Sequence, residues 1–282
     1  MIRILTDSAS DILPAEAAQL GLDVIPLNVT LEDGTVIRDG VDLTPSEYYE
    51  HMAGCKKLPT TSQPSPELFE KFYAEAAAAG DEVVGIFLSH ELSGTYQCAK
   101  LAADLANVDN VLFVDSTNVC LGEGLLVRLA AHLRDEGKSA VQIAATLEHA
   151  KEHLHLVAAI DDLKYLRKGG RISGMTAMVG SLLQIKPILR GDEEGKIVSC
   201  GKARGKKAAL VNLALRYGEL ALDKSAPIGI AHADDEEGTA FLIEELKKQG
   251  FSGKCLTVMY EPVTGAHVGP GTVALFFRGK HK

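Results

Sequence analysis

Cysteine is sparse and scattered in this chain. Five are present among 282 residues, and no two form a C-x-x-C pair. This excludes a zinc ribbon or a dithiol redox motif and leaves free thiols rather than a disulfide framework. No apolar run approaches the ~20 residues of a membrane-spanning helix. The opening segment "MIRILTDSAS" has neither a long apolar core nor a small-residue cleavage site, so it does not read as a secretory signal. These absences together point to the cytoplasm. Positive charge is also in deficit. The net charge of −9 argues against general nucleic-acid binding, which needs a basic surface. There is no Walker A loop, dinucleotide fingerprint, internal repeat or low-complexity tract. No cofactor and no metal are expected.

What is present suits a globular protein of two domains, since 282 residues are many for one core. The first half alternates short apolar runs with helical patterns. Asp11 is a plausible cap for "DILPAEAAQLG", and Thr44, Pro45 and Glu47 open "TPSEYYEHMAG" as a capping box. Such alternation predicts a parallel sheet covered on both faces, a Rossmann-like α/β domain over 1–155. Ligands of such sheets bind at the carboxyl ends of the strands. The polar clusters Asp7-Ser8, Ser89 and Asp115-Ser116 fall there. The second half, 156–282, mixes strand-like runs with fewer helices and predicts an α+β domain with a mixed or antiparallel sheet.

Four segments stand out. "PTTSQPS", Pro59 to Ser65, reads as a loop whose Ser65 suits a helix cap, while Thr60, Thr61 and Ser62 are left over for a ligand. Ser93-Gly94-Thr95 opens a helix just after a strand, where free amides and the helix dipole suit a carboxylate or phosphate; the plainer reading of Ser93 is an N-cap. "KGGRIS", Lys168 to Ser173, sets Arg171 beside two glycines, either a bidentate anion partner or a solvated turn. "GAHVGPGT", Gly265 to Thr272, reads as a tight glycine-rich loop around His267, an imidazole able to switch near neutral pH. Met175, Met178, Val179, Leu182 and Leu183 share one helical face, which is ordinary core or a pliable wall for an acyl chain.

Charge is uneven. From Asp161 to Arg216 there are twelve basic and five acidic residues, a local +7. Serine-dependent acyl hydrolysis or transfer through Ser93 is one reading of the whole. His90 and His267 are candidate bases, but no G-x-S-x-G elbow surrounds Ser93. A phosphate-binding enzyme of small metabolites is another.

Taken together, "TDSASD", "PTTSQPS", "LSGTYQ", "DDLKYLRKGGRIS", "IKPIL", "KARGKKA" and "GAHVGPGT" resemble the DegV family in order and spacing over essentially the whole chain. The resemblance implies a two-domain bacterial lipid-binding protein that buries one long-chain fatty acid between its domains. It also implies, for some members, a non-catalytic subunit that presents the carboxylate to a separate kinase. Thr61, Ser62, Ser93 and Gly94 fall where the family holds the carboxylate. Arg171, Arg204 and His267 fall in motifs tied to the head group or the partner. Met175, Met178 and Leu182 would line the acyl tunnel. Lys164, Arg167, Lys168 and Lys206, with Arg171 and Arg204, would form a basic collar for an acidic kinase surface and for transient contact with anionic membrane. Two positions depart from the family. Cys120 stands where serine is common, and His90 where serine is frequent.

Overall fold

The structure is a computed structural model and describes residues 1–171 and 184–282. The first half contains β1 (Ile2–Asp7), α1 (Pro14–Leu20), β2 (Leu22–Ile25), β3 (Asn28–Thr30), β4 (Val36–Arg38), α2 (Pro45–Ala53) and β5 (Thr60–Ser62). It continues with α3 (Pro66–Ala79), β6 (Glu82–Phe87), α4 (Thr95–Leu105), β7 (Val111–Asp115), α5 (Leu121–Asp135) and α6 (Ala140–Lys151). After these come β8 (Leu154–Ala159), α7 (Lys164–Gly169), β9 (Ile185–Gly191), β10 (Ile197–Arg204) and α8 (Lys206–Leu220). The chain closes with β11 (Ile228–His232), α9 (Glu236–Lys248), β12 (Cys255–Met259), α10 (Pro262–Val268) and β13 (Val273–Arg278).

The first sheet is parallel in the order β2-β1-β6-β7. Its side chains alternate between two cores, as the two-residue period of a strand requires. Ile4, Val84, Ile86 and Val114 pack under α5 and α6. Leu5, Val83 and Phe87 pack under α3 and α4 on the opposite face. The chain leaves β1 for β2 on one side and later returns to β6 on the other. The crevice beyond β1 and β6 is therefore the switch point where such sheets bind ligands.

The second sheet has the order β10-β9-β8-β13-β11-β12 and is mixed, parallel only between β11 and β12. Val157, Ala159, Leu275 and Phe277 face α8 and α9. Leu156, Ala158, Ala274 and Phe276 face the other way. There they meet Tyr48, Tyr49 and Met52 of α2, Leu121 at the start of α5, and a small antiparallel sheet, β4-β3-β5. The change of sheet falls between Lys151, the end of α6, and Leu154, the start of β8.

Four local expectations change. Asp11 does not cap α1, whose N-cap is Leu13. Asp11 instead follows a 3-10 turn (Ser8–Ser10) in the left-handed region, fully buried. "LDVIPLNVTL", an apolar run that reads as one extended segment, breaks after Ile25, and β3 leaves for the small sheet. Pro26 has no amide to give a ladder. Thr60, Thr61 and Ser62 are a strand rather than loop, paired with β3 through Thr61 opposite Val29. His267 lies in the last turn of α10, a short helix with Pro262 at its first turn, rather than in an open loop. The capping box of Thr44 and Glu47 is present.

Candidate functional site

One cavity of about 840 Å³, its open mouth included, lies where the switch point meets the inner face of the second sheet. Ala9 and Leu88 reach it from the ends of β1 and β6. Leu156, Ala158, Leu189 and Ala274 form its floor, and Val119 and Cys120 a side wall. These residues offer no charge, so the body of the cavity suits an apolar ligand.

Polar groups gather at one end. Thr61, Ser62 and Gln63 come from β5 and the residue after it, Ser93 from the turn before α4, Arg171 from the end of α7, and His267 from α10. Thr61 Oγ1 and His267 Nε2 are hydrogen-bonded at 2.7 Å across 206 residues of sequence. The other ring nitrogen, Nδ1, is buried without a partner among the described residues. Burial pushes the His267 imidazole down to about 4, with the Arg171 charge acting in the same direction. It is neutral at physiological pH, which corrects the expectation of a switch near neutrality. Arg171 donates to the carbonyls of Leu92 (3.0 Å) and Gly169 (2.5 Å), which ties α7 to the turn before α4. Among the described residues no carboxylate pairs with it. A cation without a counter-ion beside neutral hydroxyls and an imidazole is a seat for an anion.

Ser93 lines the cavity, but its Oγ is engaged with Thr95, at 2.9 Å to Oγ1 and 3.3 Å to the amide. No histidine nitrogen is bonded to it among the described residues. Gly94 occupies the cap position of α4 and is absent from the cavity lining. A Cβ on Gly94 would stand 2.1 Å from Gln63 Oε1, so a larger residue there would make the Gln63 side chain shift. Gly169 has a similar task, because a Cβ there would stand 2.1 Å from His267 Nδ1.

The basic residues are divided. Lys164, Arg167 and Lys168 are exposed on α7, which packs against α10 and so flanks His267. Lys164 is 3.1 Å from Asp162, and Lys168 Nζ donates to the Leu58 carbonyl at 2.7 Å. Arg204 is exposed at the end of β10 and does not line the cavity. Lys206 is paired with Asp235 at 2.6 Å, so its charge is largely spent within the fold. The six residues thus do not form one continuous ring of free charge. His90 is exposed, bonded to Asp115 and 3.3 Å from Glu91, and does not line the cavity. Met175, Met178 and Leu182 lie outside the described residues.

Sequence reasoning missed two features. Cys120 touches the ligand space directly. It is buried, lines the cavity and contacts Thr264 Oγ1 at 3.6 Å, with burial pushing its thiol up. Behind that wall lies a group of buried acids: Asp7, Asp11, Asp39, Glu123 and Glu261. Burial raises all five, Asp7 and Asp39 to about 7 and Glu261 to about 8. Asp7 accepts from the amides of Ala9 (3.0 Å) and Leu88 (3.1 Å), holding β1 to β6 where the cavity begins. The Asp7-Ser8 cluster at the strand end is therefore internal scaffolding. Nothing in the local pattern distinguishes such acids from surface ones.

Comparison with known proteins bears on this geometry. Residues 1–280 match the family described as "Uncharacterised protein, DegV family". A DegV domain-containing protein of Deinococcus radiodurans is 43% identical over 215 residues, which cover 76% of this chain and 75% of the relative. One from Caldanaerobacter subterraneus is 32% identical over 280 residues, 99% of each. A fatty-acid-binding DegV family protein of Thermus thermophilus superposes with a TM-score of 0.89 at 34% identity over 99% of each chain. DegV of Bacillus subtilis, a fatty acid binding protein, superposes at 0.86 with 33% identity, again over 99% of each. The match runs through both sheets and every segment that meets at the cavity, and the chain belongs to the DegV family.

Proposed function

We propose that this chain binds one long-chain fatty acid, with its tail in the apolar cavity and its carboxylate among Thr61, Ser62, Ser93, His267 and Arg171. The observation that carries the reading is the cavity's polarity: an uncharged body and one end where Arg171 has no carboxylate partner among the described residues. The fatty acids bound by the Thermus thermophilus and Bacillus subtilis proteins support it. At ~0.8 kcal/mol per CH₂, about sixteen buried carbons contribute on the order of 12 kcal/mol. Ordering the chain subtracts several kcal/mol. The tail supplies affinity and the polar end fixes orientation.

The protein acts as a carrier rather than an enzyme. A hydrolase needs a base on its nucleophile and a third group orienting that base. Ser93 is bonded to Thr95, and His267 is bonded to Thr61 with Nδ1 unpartnered among the described residues. The carboxylate is presented to a separate kinase subunit in the cytoplasm, guided by Lys164, Arg167 and Lys168 beside His267, with transient contact to anionic membrane. Among the described residues no helix is long and apolar enough to cross a membrane.

Native mass spectrometry of the purified chain tests the first step. The expected result is a mass increment of one long-chain fatty acid that organic extraction removes. A phosphorylated metabolite in its place would overturn the reading. For the second step, Arg167→Glu/Lys168→Glu should slow association with the kinase at low salt and leave fatty-acid affinity unchanged. An unaltered association rate would remove α7 from the partner surface.

A further inference from the structure

Away from the cavity, three imidazoles surround one carboxylate. His149 and His153 stand four residues apart in "HAKEH", where α6 ends, and their ring centroids are 5.1 Å apart. His281 arrives from the end of the chain, which is pinned across the same turn. The Gly279 amide donates to the His153 carbonyl at 2.8 Å, and the Lys282 amide to that of Glu152 at 3.0 Å. This brings the His281 ring to 5.5 Å from that of His153 and its Nε2 to 3.7 Å from Glu152 Oε2. His149 Nδ1 lies 3.6 Å from the same oxygen.

A surface His–Glu pair is ordinarily a weak ion pair. Two rings on one carboxylate with a third beside them, two of the three preset by backbone, call for more. His153 Nδ1 meets the Gly279 carbonyl at 3.1 Å and His281 Nδ1 the Lys282 carbonyl at 2.9 Å. Each nitrogen that faces a carbonyl carries the proton, so in the neutral ring Nε2 keeps its lone pair. Metal-binding histidines are oriented in this way. Two donors on one tetrahedral zinc ion lie about 3.3 Å apart. Donor atoms of His149, Glu152 and His153 already lie within 4.8 Å of one another. The neighbouring Lys151 ammonium is held by Glu148 at 2.6 Å.

We propose that His149, Glu152, His153 and His281 bind one divalent transition-metal ion, of which zinc best suits three imidazoles and a carboxylate. The ion clasps the chain end to the turn between α6 and β8. None of the four lines the cavity described above, so the consequence assigned to the ion is structural. The proposal departs from the expectation that no metal is bound. That expectation looked only at cysteine spacing.

Calorimetric titration of the chelator-treated full chain with zinc chloride tests the proposal. One equivalent should bind. His149→Gln/His153→Gln, His281→Gln and Glu152→Gln should each weaken it by roughly tenfold or more, as loss of even an outer-shell partner does. His51→Gln/His132→Gln, elsewhere on the surface, should leave it unchanged. Cobalt should give the intense visible bands of tetrahedral coordination, and zinc should slow hydrogen exchange of the Gly279 and Lys282 amides. Absence of saturable binding, or binding that all three site variants retain, would overturn it.

Discussion

His267 is the residue on which the candidate site turns. Its Nε2 holds Thr61, its Nδ1 has no partner among the described residues, and Gly169 leaves it room. Burial keeps it neutral down to about pH 4. A carboxylate bound beside it favours the charged ring. The His267 resonances, followed by NMR, should therefore titrate near 4 in the empty protein and at higher pH when fatty acid is bound. Identical titrations in both states would place the carboxylate elsewhere. Thr61→Val removes one hydroxyl and should weaken fatty-acid binding by about 0.5–1.5 kcal/mol in a fluorescence titration. Gly169→Ala should weaken it more, because the added methyl displaces the imidazole rather than deleting one bond. A smaller effect for Gly169→Ala than for Thr61→Val would mean that the ring's position is immaterial.

At the scale of elements, the site depends on β8 presenting every second residue to the cavity. Leu156 and Ala158 line it, while Val157 and Ala159 pack beneath α8. The small side chain at position 158 leaves the space that a tail would fill. Ala158→Phe should lower fatty-acid affinity by about tenfold or more, since blocked volume costs the tail its burial. Thermal unfolding should shift little, because the ring occupies space already open rather than overpacking the core. Loss of the fold would contradict an open cavity there, and unchanged affinity would contradict its use. The elements also explain why Arg204 and Lys206 do not join α7 at His267. They stand at the end of β10 and the start of α8, and Lys206 answers Asp235 before α9. Proximity in sequence to "KYLRKGGR" did not carry over, because β9 and β10 intervene as an antiparallel pair.

For the whole molecule, the five buried acids set a pH dependence. Their folded pKa values lie above the usual carboxylate value of about 4, so the folded state holds protons that the unfolded chain releases. Their contribution to stability is full at low pH and is lost as pH rises, through about 7 for Asp7 and Asp39 and about 8 for Glu261. His267 acts oppositely, since its lowered pKa costs stability as pH falls from about 6.5, the ordinary histidine value, toward 4. Between about pH 6.5 and 7.5 the acids dominate, since Lys282, which burial lowers to about 8, acts oppositely only above that range, and the urea midpoint should fall across that window. Glu261→Gln should flatten the fall by up to about 1.4 kcal/mol per pH unit, the value of one proton. A slope unchanged by that substitution would mean that Glu261 is ionised throughout.

Local chemistry by itself determined much of the element pattern: the capping box at Thr44, the glycine ending α1, the strand–helix alternation, and the motif spacing that marks the family. These depend on residues within a few positions of one another, and a chain carries that information directly. Thr61, Ser62, Ser93, Arg171 and His267 were legible as motif members for the same reason. Their meeting was not, since Thr61 and His267 are joined across 206 residues. Only the tertiary structure decided that Gly94 lies against Gln63 and that Cys120 lines the ligand space. It alone decided that five acids are interior and that His281 meets α6. Burial and contact between distant segments come from how the sheets and helices pack, and no local pattern of residue types records which neighbour the fold will supply.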